Sequence, residues 1–212
     1  MKITGKKRVY LSKAPVVILE LLTLAIALYI IILPFYPELR YRFSNKMDGG
    51  EMNSDNRDIN QVKILTGEIL SRLNETENQQ AVNRMIILKI GVDAPIAESV
   101  SADAGMAKGA WREPETSTPD QGGNTVITAH RFKYLPPSNL TFYLLDKLEQ
   151  GDLIGVSWKG QPYYYRVEEI KRVEPEDVSI LEASDKPILT LYTCDPIYSQ
   201  KKRLVVRAAL IE

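Results

Sequence analysis

Residues Ala14 to Pro34 read APVVILELLTLAIALYIIILP, 21 residues that carry a single charge, Glu20. As a helix, a run of that length crosses roughly 30 Å of hydrocarbon. It therefore confines any globular fold to the chain that follows. Lys2, Lys6, Lys7, Arg8 and Lys13 precede the run, and Arg40, Arg42 and Lys46 follow it. The excess of cations before the span places the N-terminus in the cytoplasm. Tyr29, Phe35, Tyr36 and Tyr41 fall where an outer interfacial belt of aromatics is expected. Ala25-Ile26-Ala27 has the small-x-small form of a signal-peptide cleavage site, but Leu28 to Leu33 continue the apolar run beyond it. Cleavage sites lie past the apolar core, so we expect an uncleaved single-pass anchor in the cell membrane with the rest of the chain outside. The expected divisions are a basic cytoplasmic segment over 1–13, the anchor over 14–36, a linker with one amphipathic helix over 37–83, and a β-rich domain over 84–212.

The composition removes several classes of function. With 27 basic and 27 acidic residues the formal net charge is zero, which offers no electrostatic footprint for nucleic acid. A single cysteine, Cys194, excludes an internal disulfide and a multi-thiolate metal site. A single histidine, His130, excludes a zinc site built on two imidazoles.

Ser44 to Asp58 is polar, contains a Gly-Gly pair and reads as a linker. Val62, Leu65, Ile69 and Leu73 then recur at helical spacing and predict a helix over 59–73, with Gly67 weakening its middle. From Arg84 the pattern turns to strands. RMIILKIGV, NTVITAH, DLIGVSW, QPYYYRVEEIKRV, KPILTLYTC and KRLVVRAALI are short runs separated by turn residues, with Lys159-Gly160 as a hairpin turn. Thr141 to Leu148 reads as a second short helix. Many short strands with little helix predict an all-β closed or nearly closed barrel.

Three residues at the ends of these runs carry chemistry: His130, Cys194 and Arg203. Taken singly, each has a plainer role, since a lone cysteine is most often a small buried hydrophobe and a lone arginine a solvated charge. Together they suffice for acyl transfer through a thioester. A thiol is only a few per cent thiolate at neutral pH, so an imidazole beside it assists by accepting its proton. A guanidinium stays charged at every working pH and stabilises the oxyanion that forms when sulfur attacks an acyl carbon.

The segments around the three residues resemble the sortases. TLYTC fits the TLxTC signature through Thr190, Leu191, Thr193 and Cys194. NTVITAHR resembles the histidine segment, with Ala129 where glycine is usual. KRLVVRA resembles the arginine segment and assigns its arginine to Arg203 rather than Arg207. The likeness runs from about Met85 to Glu212, in the order His, Cys, Arg, with 64 residues separating His130 from Cys194. The YYY strand and the lead-in KGAWREPETSTPDQGGN look nearer to class D or E than to the staphylococcal class A type.

This resemblance implies an eight-stranded sortase-type β-barrel with short helices behind one transmembrane helix. It implies a bacterial cysteine transpeptidase that cuts an LPxTG-like sorting signal after its Thr. Cys194 would form the thioacyl-enzyme, His130 would move the protons, and Arg203 would bind the oxyanion. Thr193 would position the signal, and Val178, Ile180 and Leu181, in the connection before the cysteine strand, would line an apolar groove for it. The implied partners are proteins bearing that signal and an amine acceptor, either a cell-wall peptide or a pilin lysine. No cofactor or metal is expected. Some sortases use calcium, yet no D-x-D-x-D loop is present, and Glu174, Glu176 and Asp177 read as a solvated loop. Two other functions use the same residues differently: a purely hydrolytic extracytoplasmic cysteine peptidase, and a non-catalytic binding domain on the same fold.

Overall fold

The structure, a computed structural model, describes residues 14–47, 59–74, 83–133 and 138–211. Its strands are β1 (Arg84–Ile87), β2 (Val92–Ala97), β3 (Ala110–Arg112), β4 (Asn124–Thr128), β5 (Leu153–Trp158), β6 (Gln161–Val173), β7 (Ile188–Asp195) and β8 (Lys202–Leu210). They form the expected closed barrel, in the order β1-β2-β3-β4-β7-β8-β6-β5. Pairing of β1 with β5 closes it. Two of the neighbouring pairs, β2–β3 and β4–β7, are parallel.

Alternation along each strand sorts the side chains. Ile127 and Ala129, Leu189 and Leu191, and Leu204, Val206 and Ala208 enter the barrel core with Ile154, Val156 and Tyr165. The intervening residues of β4, β7 and β8 take the outer face. Cys194 is among them, as are Thr190 and Tyr192 before it. The turn between β5 and β6 is the expected hairpin, with Lys159 at φ +50° and Gly160 at φ +78°, the two positive values that a type I′ turn requires. β6 carries a register shift between Val167 and Glu169, the bulge that its irregular alternation predicts.

Some elements differ from the sequence reading. The run RMIILKIGV is not one strand. The 3-10 turn Leu88–Ile90 and Gly91, at φ +66°, fold it back so that β1 pairs with β2. The helix expected over Thr141–Leu148 is only the 3-10 turn Leu145–Lys147. Phe142, Tyr143, Leu144 and Leu145 are all buried, and the Phe142 amide donates to the His130 carbonyl at 2.9 Å. Closing the barrel end and pairing with the histidine segment replace the i to i−4 bonds of a helix there.

Before the barrel, α1 (Ala14–Ile32) passes through a 3-10 turn at Leu33–Phe35 into α2 (Tyr36–Met47). Ala14–Phe43 is long and apolar enough to cross a membrane, the one such helix among the described residues. The helix continues past the expected end of the anchor at 36 and takes in the start of the expected linker; the rest of that linker, 48–58, lies outside the described residues. Pro34 and Pro37 occupy first turns, where the missing N–H breaks no bond, and Glu38 pairs with Arg42 one turn on at 3.2 Å. Tyr41, expected in the interfacial belt, packs instead against the barrel core.

α3 (Ile59–Asn74) is the expected amphipathic helix. Its Ile69 is 1% exposed and packs outside the barrel with Ile86, Leu153 and Tyr164. The contact is close because β5 has glycine at 155: a Cβ there would overlap Cγ2 of Ile69. We predict that Gly155→Ala destabilises the chain by about 1–3 kcal/mol through overpacking, although Gly to Ala in a strand otherwise tends to stabilise. Thermal unfolding checks this, and Gly155→Ala with Ile69→Ala is expected to lose less than the two single losses added together.

Candidate active site

Cys194 and Arg203 face each other across the antiparallel β7–β8 pair. An arginine Nη1 hydrogen lies toward the thiol, with Nη1 3.9 Å from Sγ. The same nitrogen donates to the carbonyls of Gln200 and Lys202, each at 3.2 Å. A carbonyl of the β7–β8 connection and the first carbonyl of β8 thus hold the guanidinium against the sulfur. Its hydrogen bonds among the described residues go to carbonyls and the thiol, so no carboxylate neutralises its charge there. Cys194 is a free, partly exposed thiol.

His130 reaches the site through the parallel β4–β7 pair. That ladder runs from Asn124 beside Ile188 to Thr128 beside Tyr192, always at an offset of 64 residues. His130 and Cys194 differ by the same 64. The two stand two positions beyond the last ladder pair, on segments that stay tied beside them by the Thr193 hydroxyl on the Ala129 carbonyl at 2.8 Å and by Arg131 on Asp195 at 3.3 Å. Alternation places both on the outer face. The spacing seen in the sequence is thus the register of the sheet. Cys194 and Arg203 thus meet on the outer wall at the end of β7 and the start of β8, with the His130 segment alongside.

A family profile described as the sortase domain matches residues 85–211. The chain belongs to the sortase family. Sortase SrtE1 of Streptomyces coelicolor is 32% identical over 142 residues, covering 59% of this chain and 39% of that one. Sortase A of Streptococcus agalactiae is 27% identical over 157 residues, covering 72% and 62%. The chain thus spans less than two thirds of the length of either relative. Among solved structures, Sortase C of Streptococcus pneumoniae superimposes with a TM-score of 0.56 at 32% identity, covering 66% of this chain and 70% of that one.

The remaining residues singled out in the sequence occupy varied positions. Thr193 is 1% exposed, and its hydroxyl donates to the Ala129 carbonyl at 2.8 Å. That bond ties the cysteine strand to the histidine segment. Val178 and Leu181, in the 3-10 turn Val178–Leu181, are exposed, while Ile180 between them is buried at 5%. The Asn124 amide holds this loop down by donating to the carbonyls of Ile180 and Glu182 at 3.0 and 2.9 Å. Asn124 in turn accepts from Thr190 at 2.7 Å. Of the acidic cluster, Asp177 accepts from the Ser179 amide at 3.0 Å to cap the turn, and Glu174 pairs with Lys202 at 3.4 Å. Among the described residues no group of three or more His, Cys, Asp or Glu side chains is placed to hold a metal ion.

Two charged residues beside the site escaped the sequence reading. Arg131 and Asp195 directly follow the histidine and the cysteine, and they form an ion pair at 3.3 Å. Their spacing is again 64, a signal available in the sequence once the register is known.

Partial burial holds the His130 imidazole below its ordinary 6.5; the Lys133 charge pushes the same way, and Asp103 opposes both. The folded chain therefore favours the neutral ring. A group with a depressed folded pKa binds fewer protons than it does unfolded, so its contribution to stability falls as pH drops through 6.5 toward the folded value. We predict an NMR titration midpoint below 6.5 for this single imidazole, with stability declining over that window. A midpoint at or above 6.5 contradicts the desolvation argument.

Proposed function

We propose that this sortase is a membrane-anchored transpeptidase acting outside the cytoplasm on an LPxTG-like sorting signal. The observation that supports it most is the facing of Cys194 and Arg203 across β7–β8, at 3.9 Å, with the His130 segment tied to the cysteine strand through the Thr193–Ala129 bond. His130 accepts the thiol proton, and the sulfur attacks the carbonyl carbon of the signal's Thr. The carbonyl electron pair moves onto oxygen, where the Arg203 guanidinium stabilises it. As the intermediate collapses, the Thr–Gly bond breaks and the leaving amine takes the proton from the imidazolium. A thioester on Cys194 remains. A second amine attacks it, yields its proton to His130, and expels the thiolate with a new amide in place.

The acceptor is an amine of a cell-wall peptide or of a pilin. The Streptococcus pneumoniae neighbour is described with pilin substrates, which supports the second. Exposed Val178 and Leu181 border the path of the signal along the outer wall, and Thr193 acts on the site from behind through Ala129. The N-terminal helix fixes the barrel to the bilayer, with the basic segment 1–13 on the cytoplasmic side.

The test combines the full chain with an LPxTG-type peptide and triglycine. The expected product is the threonyl-triglycine adduct, with a thioacyl adduct on Cys194 seen by mass spectrometry. Cys194→Ala is expected to abolish both. Arg203→Lys is expected to lower kcat by about 100-fold, because one ammonium cannot replace the planar fork, whereas Lys202→Ala changes it by less than about twofold. Release of free acid alone, whatever amine is added, identifies a hydrolytic peptidase instead. Undiminished function of the Cys194→Ala chain in cells identifies a non-catalytic domain.

A further inference from the structure

The regular β4–β7 ladder stops at Thr128 beside Tyr192, two positions short of the reactive pair. Something other than strand hydrogen bonding must keep His130 level with Cys194. The position just before the pair is held by the Thr193 hydroxyl on the Ala129 carbonyl at 2.8 Å. The position just after is held by Arg131 Nη1 on Asp195 Oδ1 at 3.3 Å. The two bonds bracket the pair on either side.

The second bond belongs to a built arrangement. Arg131 is 3% exposed and Asp195 8%. The Arg131 guanidinium reaches three acceptors on two segments: Asp195 of β7, and, in the stretch 141–148, Asp146 Oδ1 at 2.7 Å through Nη2 and the Tyr143 carbonyl at 2.9 Å through Nε. Arg172 Nε donates to the other oxygen of Asp195 at 2.9 Å. Alternation puts these groups on the face opposite His130 and Cys194, behind the site. From that face Arg131 and Asp195 reach the reaction through the two residues they follow.

We propose that Arg131 and Asp195 are positioning residues, whose buried ion pair holds the imidazole of His130 and the thiol of Cys194 in register for proton transfer. The proposal rests on the transpeptidase reading for its kinetic consequences but not for its geometry. A planar fork with a donor for each of three acceptors suits the task, and an ammonium on a flexible stem does not. A small misplacement of a reacting pair costs up to about 100-fold in rate. Loss of the pair is therefore expected to appear in kcat and not in KM.

The test uses the full chain in detergent micelles, with Asp195→Asn and Arg131→Lys as variants of nearly unchanged size. For each folded variant kcat for transfer to triglycine is expected to fall by about 10- to 100-fold with KM within threefold. A second readout needs no substrate: the rate at which iodoacetamide alkylates Cys194. In the parent chain His130→Ala is expected to change that rate by at least about fivefold, because the imidazole governs the thiolate fraction. On the Asp195→Asn or Arg131→Lys background the same substitution is expected to change it by less than about twofold. The proposal is overturned if kcat stays within threefold of the parent, if the loss lies in KM, or if the effect of His130→Ala on alkylation survives intact in the variants or is absent from the parent chain. Should Asp195→Asn fail to fold, Arg131→Lys, which keeps a cation in the buried slot, decides the matter alone. A parent chain that transfers no peptide while its variants lose the alkylation coupling refutes the transpeptidase reading and upholds the positioning one.

Discussion

The parallel pairing of β4 with β7 is the constraint on which the site depends. Both strands run side by side at one unbroken offset, so the residues that follow them arrive together. Because alternation has a period of two, a slip of one residue would turn either the imidazole or the thiol into the barrel core. Hydroxyls and an amide resist such a slip. Thr128 donates to the Tyr192 carbonyl at 2.8 Å, Thr190 to Asn124 at 2.7 Å, and Thr193 to the Ala129 carbonyl at 2.8 Å. Thr128, Thr190 and Thr193 therefore act as register pins. Valine in their place would fill the same volume without fixing the alignment.

The outer wall also explains why Arg203 and not Arg207 faces the sulfur. Both lie on β8, four residues apart, and so share a face. Arg203 stands opposite Cys194, whereas Arg207 stands opposite Thr190. Arg207 donates to the Ser179 carbonyl at 3.3 Å and lies 4.0 Å from Glu169, which commits it to the loop before β7. Tyr192, between the two levels, donates its hydroxyl to Glu113. Burial and that hydrogen bond push the phenol up from its ordinary value, so the ring stays neutral beside the thiol. The wall thus has a reactive end at Cys194 and an occupied end at Thr190.

Much of this was readable from residue order, for identifiable reasons. Strands whose alternation is backed by strong turn signals, such as β5 and β6 around Lys159-Gly160, declare themselves. β2 and β3 do not. β2 holds Pro95 in its middle and follows β1 after a single turn, so the two merge into one apolar run. β3 has three residues, and its place is set by Trp111, whose indole N–H donates to the Ser99 carbonyl at 2.8 Å and whose ring fills the space over Gly105. Both are tertiary effects without a local pattern. The facing of Cys194 and Arg203 was legible because one lies near the end of β7 and the other near the start of β8. Arg131 and Asp195 were not, because charged residues beside a turn ordinarily face water. Only the register shows that these two meet in the interior.

The apolar N-terminal helix and the stretch 141–148 meet at one residue. The Tyr143 hydroxyl donates to the Pro34 carbonyl at 3.2 Å, and its neighbour's neighbour along the chain, Leu145, begins the turn that ends at Lys147. Lys147 pairs with Glu38 of α2 at 3.4 Å. On its other side Tyr143 packs at a tilt against Phe132, two residues after His130, with ring centroids 6.1 Å apart, and Phe132 meets Tyr198 of the β7–β8 connection edge to face at 4.9 Å. The Tyr143 carbonyl accepts from Arg131. One side chain and its backbone thus touch the exit of the apolar helix, the segment carrying the imidazole and the loop that holds Arg203. A chain tethered only by a flexible linker would leave the direction of the outer wall free. Contact at Pro34 and Glu38 sets that direction relative to the helix axis, and does so from the side of the barrel that also carries the imidazole.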